Sequence, residues 1–421
     1  MRTDAARHAG TRDTVHAPTC DTPHAPARRL VITSTNAGGG HKATARALIE
    51  IIRRQGRPWH VEVLDIDTTI RPVDPFYQLF GTQAADCYNW MLRNDLTLAW
   101  DLVIGLTHAC LGAMQPMLRR VLERKFRELQ PDLVLSITPH YNRAMFASLR
   151  AAYPDVPFVT MPTDFVDYPP HSWFEPQDQH VICGFDRAAE QALDFVPDPS
   201  RISRVSGMVV NPRFFDPITE DRSAARRSLG LDPDVPTVLV FFGGSGSGRM
   251  LDIARKVAAS GKRVQLVMLC GGNTKVAERL RELRTPFPMH VEGFTTDVPR
   301  FMWMSDVVIG KPGPGAISEA LVMGLSIIVM NTSRTMSQER FNAEWVEQAG
   351  VGVSVREIDD IPDALTRLLD PARQEEIRER IAAVMPRAVF EVPDILERLM
   401  APEPAAAPIG ESRQADKLAA G

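Results

Sequence analysis

A chain of 421 residues, 44% hydrophobic and 24% charged, has room for two ordinary domains and the make-up of a water-soluble globular protein. Its net charge of −4 supplies no global basic field, which argues against nucleic acid as a partner. Cysteines at 20, 87, 110, 183 and 270 are odd in number and form no C-x-x-C pair. That pattern points to reduced thiols, a cytoplasmic setting and no structural zinc.

Residues 1–28 have no apolar core and read as a disordered N-terminal segment, not a signal peptide. Leu30 to Thr35 is a β-rich run that breaks into Asn36-Ala-Gly-Gly-Gly-His41. A helical pattern follows from about Lys42 to Gln55, with Ala45, Leu48, Ile49 and Ile52 on one face. Strand, glycine loop and helix suit a ligand edge, although the dinucleotide fingerprint and the Walker lysine pattern are both absent. Val61–Asp65 is the next strand. Segment 74–120 then departs from the alternation, with Phe76, Tyr77, Phe80, Tyr88, Trp90 and Trp100 ahead of the uncharged run Leu102–Met114. That run falls short of the about 20 apolar residues a membrane span needs. It reads as a buried helix pair or as an apolar flap touching lipid. Arg119, Arg120, Arg124, Lys125 and Arg127 follow on an amphipathic helix, a solvated face or an attraction for anionic lipid.

Strands at Leu133–Ile137, Phe158–Met161, Val181–Cys183 and Ile202–Ser206 alternate with helices Asn142–Ala152 and Asp186–Leu193, the pattern of α/β wound on a parallel sheet. Ligands bind beyond the carboxyl ends of such strands. That brings forward His140 and the segment Thr163–Phe174; His140 and His171 stand open between structural and functional roles. A second α/β pattern starts after helix Asp221–Leu229. Thr237–Phe242 leads into Gly243-Gly-Ser-Gly-Ser-Gly248 and a helix, a loop whose N–H groups and hydroxyls can cradle a pyrophosphate. Val264–Cys270 and the short run His290–Phe294 are further strands.

Asp306–Ile309 reads as a buried strand, Lys311-Pro-Gly-Pro-Gly315 as a sharp loop and Ala316–Met323 as a helix stopped by Gly324. Ile327–Met330 is a strand before a polar loop ending in Gln338-Glu339. Glu319, expected as an exposed cleft carboxylate, can accept both hydroxyls of a ribose, and the helix start offers N–H groups to an anion. This combination suits a nucleotide-sugar donor. Val351–Val355 is a last strand. Val392–Met400 precedes a tail at 401–421 that reads as disordered.

Local motifs, in order from about Leu30 to Val355, resemble those of the glycosyltransferases that include the monogalactosyldiacylglycerol synthases. The peptidoglycan N-acetylglucosaminyltransferase is a more distant relative. GGGHKATARAL, starting at Gly38, resembles the family's GGGHxxxA opening, and Thr163–Phe174 its TD…H..WF segment. Gly207–Phe214 resembles the linker GxPxxPxF, with Met208 and Val209 where Leu-Pro is frequent. GKPGPGAISEAL, from Gly310, followed by Ser337-Gln-Glu339, resembles the donor signature, with Met336-Ser337 in place of the usual Pro-Gly.

The resemblance implies α/β architecture with two Rossmann-like domains facing across a cleft, the glycosyltransferase-B type. Residues 29–212 would bind the acceptor, with an apolar flap at 74–120; residues 213–390 would bind the donor, and 391–400 would cross back. It implies catalytic roles for His41 and Asp164. Gly243, Gly244, Ser245, Gly246, Phe294, Gly313, Pro314, Gly315, Glu319, Gln338 and Glu339 would hold the donor. Gly39, Gly40, His171, Trp173 and Trp90 would meet the acceptor. The implied reaction is inverting transfer of a hexose from UDP-galactose or UDP-glucose to diacylglycerol or a similar lipid. It would run at the inner face of the membrane without cofactor, helix ends and hydroxyls replacing a metal ion. A soluble glycosyltransferase for small molecules and a nucleotide-sugar binding or epimerase-like protein are the alternatives.

Overall fold

The computed structural model describes residues 27–36, 39–83, 86, 100–167 and 172–401. Two six-stranded sheets dominate it. The first contains β1 (Arg28–Ser34), β2 (Trp59–Asp65), β3 (Leu133–Ser136), β4 (Phe158–Thr160), β5 (His180–Cys183) and β6 (Ile202–Arg204). Its order is β2-β1-β3-β4-β5-β6, parallel throughout. The second contains β7 (Thr237–Phe241), β8 (Gln265–Leu269), β9 (Met289–Glu292), β10 (Val307–Gly310), β11 (Ser326–Met330) and β12 (Gly352–Val355). Its order is β12-β11-β10-β7-β8-β9, again parallel.

Strands covered by helices on both faces have no wet side, so they are apolar without alternation. β3, β8 and β11 are buried at every residue, as the sequence runs lead one to expect. Strand order reverses between β1 and β3 in one sheet and between β7 and β10 in the other. Such switch points open a crevice at the carboxyl edge, because the flanking connections leave in opposite directions. The β1 and β3 crevice receives Gly39–His41 and Ile137–His140. The β7 and β10 crevice receives Gly243–Gly248 and Lys311–Gly315.

The last helix, Ala388–Met400, returns to the first sheet. Its Ala388, Val392, Leu396 and Met400 share a core with Leu30, Leu48 and Leu133. Arg57 fastens it through ion pairs to Asp394 and to Glu397, the latter at 2.6 Å. The two chain passages between the sheets meet at Ser206, whose carbonyl accepts from Arg387 N–H at 2.8 Å and Ala388 N–H at 3.1 Å.

Among the described residues of segment 74–120 are a short helix, Pro75–Phe80, and the start of a continuous helix, Trp100–Leu129. The apolar spacing Leu111, Met114, Leu118, Leu122, Phe126 explains the continuity: it runs unbroken from the uncharged stretch into the basic one. Those residues pack on helix Asn142–Ala152 through Ala144, Met145 and Leu149. Earlier on the helix, Leu106 is 63% exposed, and Met117 is 46% exposed. The flap is thus core along one stripe and open along another. Among the described residues, no helix is long and apolar enough to cross a membrane.

Gly310 ends β10 where a Cβ would run into the carbonyl of Phe241 on β7, whereas a Cβ on Gly248 would meet nothing. Gly310→Ala is expected to cost about 1–3 kcal/mol of stability by overpacking, and Gly248→Ala far less. Denaturant midpoints check this; equal midpoints would contradict the close approach of the two strands.

Candidate active site

The two carboxyl edges face each other across a cleft of about 2100 Å³. Gly39, Gly40, His41, Asp164 and Trp173 line it from the first sheet. Gly243, Gly244, Ser245, Gly246, Phe294, Gly313, Pro314, Gly315, Glu319, Gln338 and Glu339 line it from the second. Trp90 and His171 lie outside the described residues.

His41 is the second residue of helix Gly40–Arg54. Its Nδ1 lies 2.8 Å from the carbonyl oxygen of Ile137 and 3.0 Å from Thr163 Oγ1. A carbonyl only accepts, so Nδ1 carries the ring proton and Nε2 keeps its lone pair. Burial pushes the imidazole down to about 4, against a smaller upward pull from Ile137. The ring is therefore neutral near pH 7, with Nε2 able to accept a proton.

Asp164 stands beside it. Its Oδ2 accepts from Trp173 Nε1–H at 3.0 Å. Burial raises its carboxyl to about 6, the indole bond opposes this, and the charge of Glu339 adds to the rise. Trp173, expected to meet the acceptor, is only 1% exposed. It lines the cleft wall with its indole N–H on Asp164 and its ring centroid 6.0 Å from that of His41.

A second histidine arrangement shares this wall. His140, held at φ 70°, donates its backbone N–H to Ser172 O at 2.6 Å, and its Nδ1 is hydrogen-bonded to His108 Nε2 at 2.7 Å. Burial, then His108, pushes His140 down to about 3. Asp67 lines the same region and accepts from Thr35 Oγ1 and Asn36 N–H, each at 2.6 Å. An Asp-x-Asp triplet does occur at Asp65–Asp67, but Asp65 caps helix Ile66–Ile70 and binds Asn36 Nδ2 at 3.0 Å. No cluster suited to a metal ion is present among the described residues.

On the facing wall, Gly313 caps helix Pro314–Val322, and Glu319 projects from its second turn. Expected as an exposed carboxylate, Glu319 is instead recessed, and burial alone lifts it to about 8. Gln338 and Glu339 sit in the first turn of helix Ser337–Gln348 and not in a loop. Glu339 Oε1 binds Lys311 Nζ at 2.6 Å. Phe294 is 73% exposed in the cleft, a free aromatic surface for a flat ring.

Residues 237–399 match the glycosyltransferase family 28 C-terminal domain. The chain is 29% identical over 383 residues to monogalactosyldiacylglycerol synthase 1 of Arabidopsis thaliana, covering 86% of this chain and 69% of that protein. It is 28% identical over 364 residues to the synthase of Spinacia oleracea, covering 83% and 67%. In fold it is similar to MurG of Acinetobacter baumannii, with a TM-score of 0.58 at 14% identity over 89% of this chain and 100% of that one. Along most of its length the chain is thus similar to these synthases, and residues 237–399 carry the family 28 C-terminal domain. It is a hexosyltransferase of the glycosyltransferase-B architecture. UGT2 of Phytolacca americana, solved with UDP-2fluoro-glucose and pterostilbene, shares that fold with a TM-score of 0.54 at 14% identity over 89% of this chain and 100% of that one.

The enzyme's Asp67 in the cleft and His108 behind His140 are groups that sequence reading misses, since each acts through a partner distant in sequence. Glu319 carries a pH signature. Its carboxyl binds a proton more tightly in the folded, ligand-free protein than in the unfolded chain. This stabilisation is fully present below the unfolded value near 4.5 and is lost as pH rises through about 8. Glu319→Gln, which cannot ionise, is expected to melt with the wild type at pH 5 and above it at pH 8.5. A pH-independent difference between the two melting temperatures would contradict the raised carboxyl.

Proposed function

We propose that this enzyme moves a hexose, galactose or glucose, from a UDP-sugar to the hydroxyl of diacylglycerol or a similar lipid, with inversion. The observation carrying this reading is the convergence in one cleft of a neutral His41, with Nε2 unprotonated, and the recessed Glu319 beside a glycine-rich loop. The acceptor hydroxyl gives its proton to Nε2 as its oxygen bonds the anomeric carbon, and the bond from that carbon to the diphosphate breaks, releasing UDP. Donors of the loop Gly243–Gly248 and of the helix start at Gly315 balance the leaving charge. Glu319 takes the ribose hydroxyls, Gln338 and Glu339 face the sugar, and Phe294 borders the base.

A lipid acceptor is favoured by the apolar groups on the first-domain wall: Ile70, Leu106, Leu111 and Met114 line the cleft close to His41 and His140. On the same helix, the exposed Leu106 and Met117 precede the exposed Arg120 and Arg124, a pairing suited to the surface of an anionic bilayer. The curated relatives are monogalactosyldiacylglycerol synthases by name, which accords with this acceptor.

Incubation with UDP-galactose or UDP-glucose and diacylglycerol vesicles, read by mass of the lipid products, tests the reading. Hexosyl-diacylglycerol is expected. His41→Ala is expected to lower turnover by about 10²–10⁴ while UDP affinity stays near wild type. A variant keeping more than about a tenth of the rate would remove His41 from the base role. Transfer to soluble acceptors but not to lipid would overturn the acceptor assignment.

A further inference from the structure

The turn after β3 holds a residue in an unfavourable backbone conformation. His140 has φ 70°, in the left-handed region that a side chain disfavours. Its surroundings keep it there. His140 N–H donates to Ser172 O at 2.6 Å, and Asn142 Nδ2 donates to Trp173 O at 2.8 Å, so the turn is stitched to residues 172–173. Asp167 clasps that stretch in turn, its Oδ1 accepting from Ser172 N–H and Trp173 N–H, each at 2.9 Å. Strain that the surrounding structure over-determines in this way is characteristic of functional sites.

His140 lines the cleft, and its Nδ1 lies 2.7 Å from Nε2 of His108 on helix Trp100–Leu129. The two rings meet edge to face, with centroids 4.8 Å apart. With Nδ1 turned to His108, Nε2 of His140 is directed away from it and has no hydrogen-bond partner among the described residues. A histidine kept for packing alone would have both ring nitrogens satisfied. One proton lies between the two rings. When His108 Nε2–H donates to His140 Nδ1, His140 carries its own proton on Nε2 and offers that N–H to the cleft. The His140 ring is neutral near pH 7, lowered to about 3 by burial and then by His108. It therefore offers a hydrogen bond without a charge, which suits a neutral polar group better than a phosphate.

The wall around this ring is apolar, with Ile70, Leu106, Leu111 and Met114 lining it. His41 lies close enough for its charge to be felt at His140. A diacylglycerol with its hydroxyl on His41 and its chains on this wall has its other polar groups, the ester carbonyls, only a few bonds from the reacting oxygen. A carbonyl oxygen accepts hydrogen bonds and cannot donate them, so it calls for a donor such as Nε2–H.

We propose that His140 donates its Nε2–H to an ester carbonyl of the acceptor lipid, that His108 is the positioning residue that sets the tautomer, and that this bond selects acyl over alkyl glycerolipids. This rests on the lipid-acceptor reading above. The bond holds the glycerol backbone so that its free hydroxyl meets His41.

Rates on 1,2-diacylglycerol and on 1,2-dialkylglycerol of matched chain length test the contact, because the dialkyl lipid keeps hydroxyl and chains but lacks both carbonyls. Wild type prefers the diacyl lipid by about tenfold or more in kcat/KM, the effect of leaving a buried donor unpaired. His140→Leu brings the ratio of the two lipids close to one while UDP affinity stays near wild type. His140→Gln, which keeps an N–H donor, retains part of the preference. His108→Leu lowers the ratio with His140 still in place, and it carries the test if His140→Leu does not fold. A wild-type ratio within about twofold of one would overturn the carbonyl contact and leave the lipid reading intact. The same holds for a ratio unchanged in His140→Leu or, where that variant does not fold, in His108→Leu; losses shared equally by both lipids are the mark of a structural role. Transfer by wild type to neither lipid would overturn the lipid reading and the contact together.

Discussion

The carbonyl of Ile137 determines what His41 can do. It points from the end of β3 into the crevice beside β1 and accepts the Nδ1 proton at 2.8 Å, leaving the lone pair on Nε2. The geometry follows from strand order, because β1 and β3 are neighbours whose following connections diverge. A glycine turn ends one strand and a free carbonyl ends the other, so the ring is held by backbone that no side-chain change can easily move. Thr163, from the loop after β4, adds a second contact to the same nitrogen.

Burial disfavours the charged form of four titratable groups of the cleft. It lowers His41 to about 4 and His140 to about 3, and it raises Asp164 to about 6 and Glu319 to about 8. Each shift favours the neutral form, because a low-dielectric crevice disfavours charge of either sign. At pH 7 His41 and His140 are thus neutral and Glu319 is largely protonated, whereas Asp164 is largely ionised and shares the cleft with the Lys311–Glu339 pair. In the proposed reaction the charged partner arrives with the donor, and a neutral imidazole meets a neutral hydroxyl.

Much of the fold was legible in the sequence because strands buried on both faces carry no polar alternation and because glycine turns mark their ends. Helices Asn142–Ala152 and Asp186–Leu193 fall at the bounds read from periodicity alone. The return of the last helix, expected at Val392–Met400 from the family resemblance alone, is carried in the structure by the apolar stripe of Ala388–Met400. What escaped depends on tertiary placement. The His108–His140 bond joins residues 32 apart on different elements. The bond from the Trp173 indole N–H to Asp164 joins two residues nine apart across a loop, which no local pattern signals. Glu319 reads as an exposed carboxylate until its recessed position in the cleft wall is seen. The uncharged run Leu102–Met114 and the basic helix after it are one element because their stripes are in phase, a continuity that changes of composition hide.

Imidazole NMR of the ligand-free protein, with the His41 resonances assigned by His41→Gln, tests the central claim most directly. The account requires Nδ1–H, an unprotonated Nε2 and a ring that stays neutral down to below about pH 5, given its lowered value of about 4. A His41 ring protonated at Nε2, or one that titrates near its ordinary value of about 6.5, would contradict it.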